Sequence, residues 1–523
     1  VSASCGPGTE SNPLRNLGIP PEIIQFLGGR GGRSLIVKGG AGTGKTTFGL
    51  ELLEKVGNPG KSFYLSTRVS DEALYRQFEW LRSVEMRTRI FDAGKIFLET
   101  ILGREPPEPT VELPAEAREK VTSAREFLKS IGQESGPPTK VDRTQLSALL
   151  KRTRMPEVEH MYARVEQVLP DKALLVVDSL EGVTHRYGLE MEEFVMCLQK
   201  DLVENSNTNV VMILEKPEAG GIEYLVDGLV SLSREDYEER RVRHLWLEKL
   251  RATAIPQPRY AVTLDGGRFQ SLGGQIHPAR VGPAPPWIPV PEPPRYYSSG
   301  IPDFDALLGG GFRAGSYNGF QIDVNVSIDD YYLLFIPTFL NFLSHGRGIL
   351  GILAGGESPE KLRQTIVSYI PPETFDSRVR FTDYFATETT TPYVIPIGRA
   401  GREDAMRALA TAERAVRGGA DQKPLLEYTA FDTLEYLQGD QLAIRGLFIG
   451  VERTKLRGDL GIGLLKPGLE VTSEIINMMD TYFKLVNIDN TPCLFGIRPR
   501  TMIYSMSLDP EKGFPHTRLT PIV

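Results

Sequence analysis

Residues Gly39-Gly40-Ala41-Gly42-Thr43-Gly44-Lys45-Thr46 fit G-x-x-x-x-G-K-[ST] and sit between an apolar run, Leu35 to Val37, and a helical run beginning at Thr46. A strand before and a helix after is the context this motif requires. Glycines let the backbone wrap an anion so that successive N–H groups point at phosphate oxygens, and the following helix adds the positive end of its dipole. The pattern predicts a nucleotide-binding loop running from Gly39 through Thr47, with Lys45 reaching the β and γ phosphates and the Thr46 hydroxyl on Mg²⁺. The metal needs a second anchor. Asp178 closes the run ALLVVD, which places a carboxylate at the C-terminal edge of a predicted strand, beside the phosphates.

The chain of 523 residues exceeds one compact domain, since about 150 residues per domain is usual. Between Pro278 and Pro294 there are eight prolines in seventeen residues, too dense for a helix or an inner strand and suited to a spacer. The text after this stretch repeats the text near the start: GIPPEIIQFLGGRGGRS (Gly18 to Ser34) aligns without a gap on GIPDFDALLGGGFRAGS (Gly300 to Ser316). LLVVDSLEG is answered by EYTAFDTLEY, which pairs Asp178 with Asp432 and Glu181 with Glu435. YLVDGLVSL is answered by INMMDTYFKL, and each is followed by two basic residues two apart, Lys249 and Arg251, then Arg498 and Arg500. Anchors in one order predict a duplicated domain.

Each copy alternates short Val, Ile and Leu runs with helical patterns, which argues for an α/β fold with a mainly parallel sheet flanked by helices. The expected organisation is a flexible N-terminus over 1–16, an ATP-binding domain over 17–274, a Pro-rich linker over 275–297 and a degenerate second copy over 298–523. Copy one carries an insertion at about 102–171, read as a proline-opened helix followed by a further stretch of amphipathic helix.

Composition narrows the function. The net charge of -7 disfavours indiscriminate nucleic-acid binding, so any such contact is a local patch, and no sequence-specific DNA binding is expected. Three distant cysteines, Cys5, Cys197 and Cys493, argue against a disulfide framework or a zinc cluster. No long apolar span or secretory leader is visible, which makes the cytoplasm the expected address. The densest basic groups, Lys151 to Arg154 and Arg240 to Arg243, lie among acids; mixed charge reads as a solvated face, or as a docking patch for a protein or an RNA backbone.

With these residues in view, the opening GIP…LGG…GRSLIV-GGAGTGKTT, the VVDS around Asp178 and the KLRAT of Lys249 to Thr253 resemble the RecA-like ATPases of the KaiC, RadA and GvpD group. YLSTRVSDEALYRQFEWL (Tyr64 to Leu81) brings the likeness nearest to GvpD, the archaeal gas-vesicle regulator type. The resemblance covers copy one well and copy two as a worn duplicate. It implies that Lys249 and Arg251 reach from one subunit to the γ-phosphate held by a neighbour, which would couple nucleotide state to a homo-oligomer, dimer or hexamer.

Two departures shape the functional expectation. KaiC-like hydrolases carry paired glutamates where this chain has Arg68 and Val69, so hydrolysis is expected to be slow or absent unless Glu181 substitutes as the water-activating carboxylate. In copy two the gapless alignment sets Ser327 opposite Lys45 and Ile328 opposite Thr46, and no lysine occurs between Arg313 and Lys361. Copy two is therefore expected to be a pseudo-ATPase, with Glu357 at the base position and Asp432 at the metal position as relics. The function expected is a regulatory protein whose Mg·ATP site controls binding to a protein or ribonucleoprotein partner; the resemblance to GvpD implies a transcription activator held in repression as that partner. The alternatives are an ATP-locked clamp on a large assembly, such as a ribosome dimerisation or hibernation factor, and, less favoured, a RadA-like DNA-dependent ATPase.

Overall fold

The computed structural model describes residues 18–102, 143–150, 154–218, 220–273, 284–384, 386, 389–398, 402–418, 423–469 and 472–523. The N-terminal segment with Cys5, the proline-opened helix of the insertion, Lys151 to Thr153 and the first part of the Pro-rich linker lie outside the described residues. The chain divides into two compact units, the first chiefly from residues up to 272 and the second chiefly from 273 onward.

In the first unit β1 (Ser34–Gly39), β2 (Ser62–Ser66), β3 (Ile90–Asp92), β4 (Leu174–Asp178), β5 (Asn209–Ile213), β6 (Gly228–Tyr237), β7 (Arg240–Leu250), β8 (Arg259–Thr263) and β9 (Gln270–Leu272) form one sheet, ordered β3-β2-β4-β5-β1-β6-β7-β8-β9. The pairs from β3 through β6 are parallel, and β7-β8 and β8-β9 are antiparallel. A parallel sheet is covered on both faces, which is why its strands read as unbroken apolar runs. The period of two then divides each strand between two cores: Ile36 joins Val177 and Met212 on one face, while Leu35 and Val37 join Val176 and Val211 on the other. Helices α1 (Pro21–Gly28) and α2 (Lys45–Lys55) cover the second face through Ile23, Phe26, Phe48 and Leu52, and α3 (Pro156–Val168) covers the first through Met161 and Val165. Next along the chain from β4 comes α4 (Leu180–Tyr187). The described part of the insertion, Thr144–Leu150 and α3, is helical as its apolar spacing predicts.

The second unit is built on β10 (Tyr317–Ile322), β11 (Gly348–Ile352), β12 (Val379–Asp383), β13 (Val394–Pro396), β14 (Leu425–Ala430), β15 (Leu460–Leu465), β16 (Thr481–Ile488), β17 (Thr491–Arg498), β18 (Tyr504–Leu508) and β19 (Thr517–Pro521). Its order is β13-β12-β11-β14-β15-β10-β16-β17-β18-β19. Without the edge strand β13, this repeats the first sheet strand for strand, so the core is a duplicated α/β fold. Helix α5 (Ile328–Ser344) follows β10 as α2 follows β1, and α6 (Phe431–Gln438) follows β14 as α4 follows β4.

Strand register corrects the residue-by-residue correspondence drawn from the repeat. Leu35 pairs with Gly228 and Asn318 with Thr481. Asp227 Oδ2 accepts from the Ser34 N–H at 3.3 Å, and Asp480 Oδ2 from the Tyr317 N–H at 2.9 Å. Ser34 thus answers Tyr317, one residue beyond the gapless alignment. Ile328, first in α5, stands where Lys45 stands, and Ser327 stands where Gly44 caps α2. The carboxylates shift too. Asp178 is level with Ile213, which is level with Val37; Ala430 is level with Leu464, which is level with Phe320. Ala430 therefore takes the level of Asp178, and Asp432 lies two residues further on, inside α6. Continued from the pairing of Ile352 with Thr429, the same register sets Gly355 level with Arg68 and leaves Glu357 beyond it. Aligned letters do not register where backbone hydrogen bonds pair, and those bonds fix the level of each residue.

Candidate nucleotide-binding site

The Gly39 to Thr46 loop joins β1 to α2, and its glycines are demanded by the backbone. Gly39, Gly42 and Gly44 have φ of 154°, 72° and 102°. A Cβ on Gly39 would stand 2.3 Å from the Leu232 carbonyl oxygen, and one on Gly44 2.9 Å from a Leu264 methyl. No side chain caps the N-terminus of α2, so its first N–H groups remain available to an anion. Thr43 Oγ1 closes the loop on the Gly40 carbonyl at 2.9 Å, Thr47 is buried beneath it, and Ala41 is exposed at its surface.

Lys45 Nζ donates to the carbonyls of Gly39 and Gly40, both at 2.7 Å. Burial pushes its pKa down, against the pull of Asp178 and Glu181. Thr46 Oγ1 donates to Asp178 Oδ2 at 2.7 Å, so the two expected metal ligands already touch. Burial raises the Asp178 carboxyl above its ordinary range, while donors from Tyr64 and Thr46 and the charge of Lys45 act in the other direction. The Asp178-Ser179 peptide is cis. Glu181, in the first turn of α4, accepts from the Glu215 N–H at 2.9 Å through Oε1, and its Oε2 is buried with no hydrogen-bond partner among the described residues. An orphaned carboxylate oxygen costs free energy unless a proton donor or cation meets it. Among the described residues no cluster of three or more His, Cys, Asp or Glu could hold a metal by itself. Mg²⁺ here would draw Thr46 and Asp178 from the protein and the rest of its ligands from phosphate and water, as that ion commonly does. The residues present fit Mg·nucleotide.

Lys249 and Arg251 lie elsewhere in the unit. Lys249 Nζ donates to the carbonyls of Glu223 at 3.1 Å and Val226 at 2.6 Å, and Arg251 pairs with Asp227 at 3.0 Å. Asp227 also accepts from Ser34, the first residue of β1, whereas the phosphate loop follows the last. The six residues of β1 separate those ends by about 17 Å. Neither cation is placed at the loop of its own chain.

Other side chains at the site escaped sequence reasoning. Tyr64, fully buried in β2, donates its hydroxyl to Asp178 Oδ2 at 2.5 Å; a tyrosine in an apolar strand beside a strand-ending Asp was the one available signal. Glu215, just past β5, holds Glu181 through its backbone and Arg68 through its carboxylate. Arg243, expected in a solvated basic cluster, is buried and donates to the Gly42 carbonyl at 3.5 Å.

The equivalent loop of the second unit is closed on itself. Ser327 Oγ accepts from the Asp330 N–H at 3.2 Å and Asp330 Oδ2 accepts from the Ser327 N–H at 2.9 Å, a capping box that occupies the N-terminus of α5. Glu357 accepts from the Ala354 N–H at 2.6 Å and from the Tyr428 hydroxyl at 3.0 Å, and burial raises its pKa. Asp432 Oδ2 accepts from the Gly355 N–H at 3.2 Å.

A glycine loop opening a helix, with the Thr46 hydroxyl on a carboxylate that ends a parallel strand of the same sheet, one strand removed from β1, defines an α/β P-loop protein. Residues 23–134 match the family described as GvpD gas vesicle protein, P-loop domain. Along nearly all its length the chain is also similar to two proteins of Halobacterium salinarum: Protein GvpD2, 25% identical over 519 residues, and Protein GvpD1, 23% identical over 560 residues, with 96% of this chain and 96% of the relative covered in both. It is a GvpD-like P-loop protein. Among the described residues no helix is long and apolar enough to cross a membrane.

Proposed function

We propose that the chain is a regulatory ATP-binding protein in which Mg·ATP, held by Gly39 to Thr47 and Asp178 of an N-terminal domain over 17–274, controls the grip on a macromolecular partner. The observation that carries this is the contact of Thr46 with Asp178 at 2.7 Å beside a buried Lys45 and an orphaned Glu181 oxygen. Turnover is slow, because Arg68 cannot accept a proton and Glu181 is left as the carboxylate to orient water. The domain over 298–523 acts as a pseudo-ATPase: its capping box supports a role in docking rather than in anion binding. Lys249 and Arg251, remote from their own loop, serve the site of a neighbouring copy in a homo-oligomer. The likeness to GvpD gas vesicle proteins supports a regulatory role, and the partner we assign on the resemblance of the sequence to gas-vesicle regulators is a transcription activator held in repression.

The test is nucleotide titration of the full chain and of Lys45→Ala by calorimetry, beside affinity purification from the native extract with and without ATP. A wild type that binds ATP with Mg²⁺ and retains a transcription factor, with both lost together in the variant, supports the reading. Retention of the partner after nucleotide binding is abolished overturns it. Ribosomal proteins in the ATP-dependent fraction would replace it by an assembly clamp.

A further inference from the structure

The sequence position where related hydrolases place a glutamate holds Arg68, and its surroundings are specific. Ser66 of β2 pairs with Asp178 of β4. The next residue is stitched to the same place: Thr67 N–H donates to the Asp178 carbonyl at 2.7 Å, Thr67 Oγ1 donates to the Ser179 carbonyl at 2.9 Å and accepts from the Ser179 N–H at 2.8 Å. The backbone that carries Arg68 is therefore fixed beside the metal-ligand carboxylate. Gly182 leaves room for the stem, since a Cβ there would stand 3.3 Å from Arg68 Cγ.

The guanidinium forms an ion pair with Glu215. That partner gives the direction of the side chain. Glu215 follows the end of β5, and Leu214 before it donates to the carbonyl of Val37 at 2.9 Å, in the strand that feeds the phosphate loop. Because the sheet runs β2-β4-β5-β1, a side chain rooted at the end of β2 that meets a residue at the end of β5 crosses in front of Asp178, toward the loop. With strands about 4.8 Å apart, the Arg68 and Glu215 side chains together bridge about 10 Å of the sheet edge above which phosphates would lie.

We propose that Arg68, paired here with Glu215, engages the terminal phosphate of a nucleoside triphosphate and so distinguishes it from a diphosphate. This rests on the ATP-binding reading above. Both partners of the pair are substantially exposed, with 55% and 40% of their side chains accessible, and exposed ion pairs are weak enough to be traded for a better anion. A planar guanidinium suits two oxygens of one phosphate. The exchange has a route inward: Glu215 released from Arg68 still holds Glu181 through its N–H, so occupation of the terminal phosphate position would be felt at the carboxylate beside Lys45.

The experiment measures the affinities of a non-hydrolysable ATP analogue and of ADP, each with Mg²⁺, for the full chain, Arg68→Gln, Arg68→Lys and Glu215→Gln, with melting curves to confirm folding. Loss of a charge-assisted phosphate contact costs about tenfold in affinity or more. Arg68→Gln should lose that factor for the triphosphate analogue and keep its ADP affinity within about twofold. Arg68→Lys, a point charge without the fork, should fall between, and Glu215→Gln should favour the triphosphate. An Arg68→Gln chain with an unchanged ratio of the two affinities, or with both falling in step, overturns the role of Arg68 alone. A wild-type chain that binds neither nucleotide overturns the ATP-binding reading with it.

Discussion

The Tyr64 hydroxyl donates to Asp178 Oδ2 at 2.5 Å, from a ring with no exposed surface. Thr46 donates to the same oxygen at 2.7 Å, so two hydroxyls from different elements aim one carboxylate at the end of α2. Removing a partner that orients a metal ligand commonly costs 10–100-fold in metal affinity. Tyr64→Phe keeps the ring and its packing, and should raise the Mg²⁺ concentration needed for tight nucleotide binding by about tenfold. Nucleotide titrations at fixed ATP and graded Mg²⁺ check this, with binding in chelator as the reference that should not move.

Gly182 lies where α4 meets the Thr67 bridge. A Cβ there would stand 2.1 Å from Thr67 Oγ1, an atom held by the Ser179 backbone on both sides. Gly182→Ala should destabilise the chain by about 1–3 kcal/mol, as overpacking does. Gly28, the last residue of α1, has nothing within 4 Å of its Cβ direction. Gly28→Ala should be neutral or slightly stabilising, and denaturant midpoints of the two variants separate steric cost from a general cost of losing glycine.

Asp459 of the second unit is fully buried, accepts from Arg417 Nη1 at 2.8 Å and Nη2 at 2.5 Å, and also accepts the Leu425 N–H at 2.8 Å. Asp459→Ala strands the Leu425 N–H and leaves the Arg417 guanidinium with Glu413, at 2.9 Å, as its one remaining carboxylate, which costs about 2–4 kcal/mol. The pair of changes Asp459→Leu with Arg417→Met should cost less than Asp459→Ala alone, since no charge is left unpaired. Thermal unfolding of the full chain measures both.

His160 has its pKa lowered to about 4 by burial, with the charge of Arg164 acting the same way. Arg164 Nε donates to His160 Nε2 at 3.4 Å, so the neutral ring is the form the fold holds. Its contribution is complete above the unfolded value near 6.5 and drains as pH falls through about 4. His160 is only partly buried, so solvent screening reduces the effect, and between those limits the wild type should lose on the order of 1–2 kcal/mol that His160→Gln does not. Urea midpoints of the two chains at pH 7.5 and 4.5 give the difference directly.

Much of the fold was legible because its signals are local. The strand-loop-helix setting of Gly39 to Thr46, the apolar run ending at Asp178 and the order of repeated anchors all depend on backbone preference and burial over short windows, and the sheets follow them. The contacts that shape the candidate site are long in sequence. Tyr64 and Asp178 are 114 residues apart, Thr46 and Asp178 132, and no short-range pattern links them. The same holds for Arg68 and Glu215, 147 residues apart, although the unusual arginine was visible in the text.

From its residues alone this chain determined that it would fold as a duplicated α/β core with one phosphate loop, since glycine freedom, helix dipole and apolar periodicity act through neighbours in sequence. Tertiary structure alone decided which residues are equivalent between the copies, sliding Lys45 onto Ile328 and Asp178 onto Ala430. It also set Lys249 and Arg251 at the far end of β1, because hydrogen-bond register between distant strands, and not likeness of letters, fixes where a side chain stands.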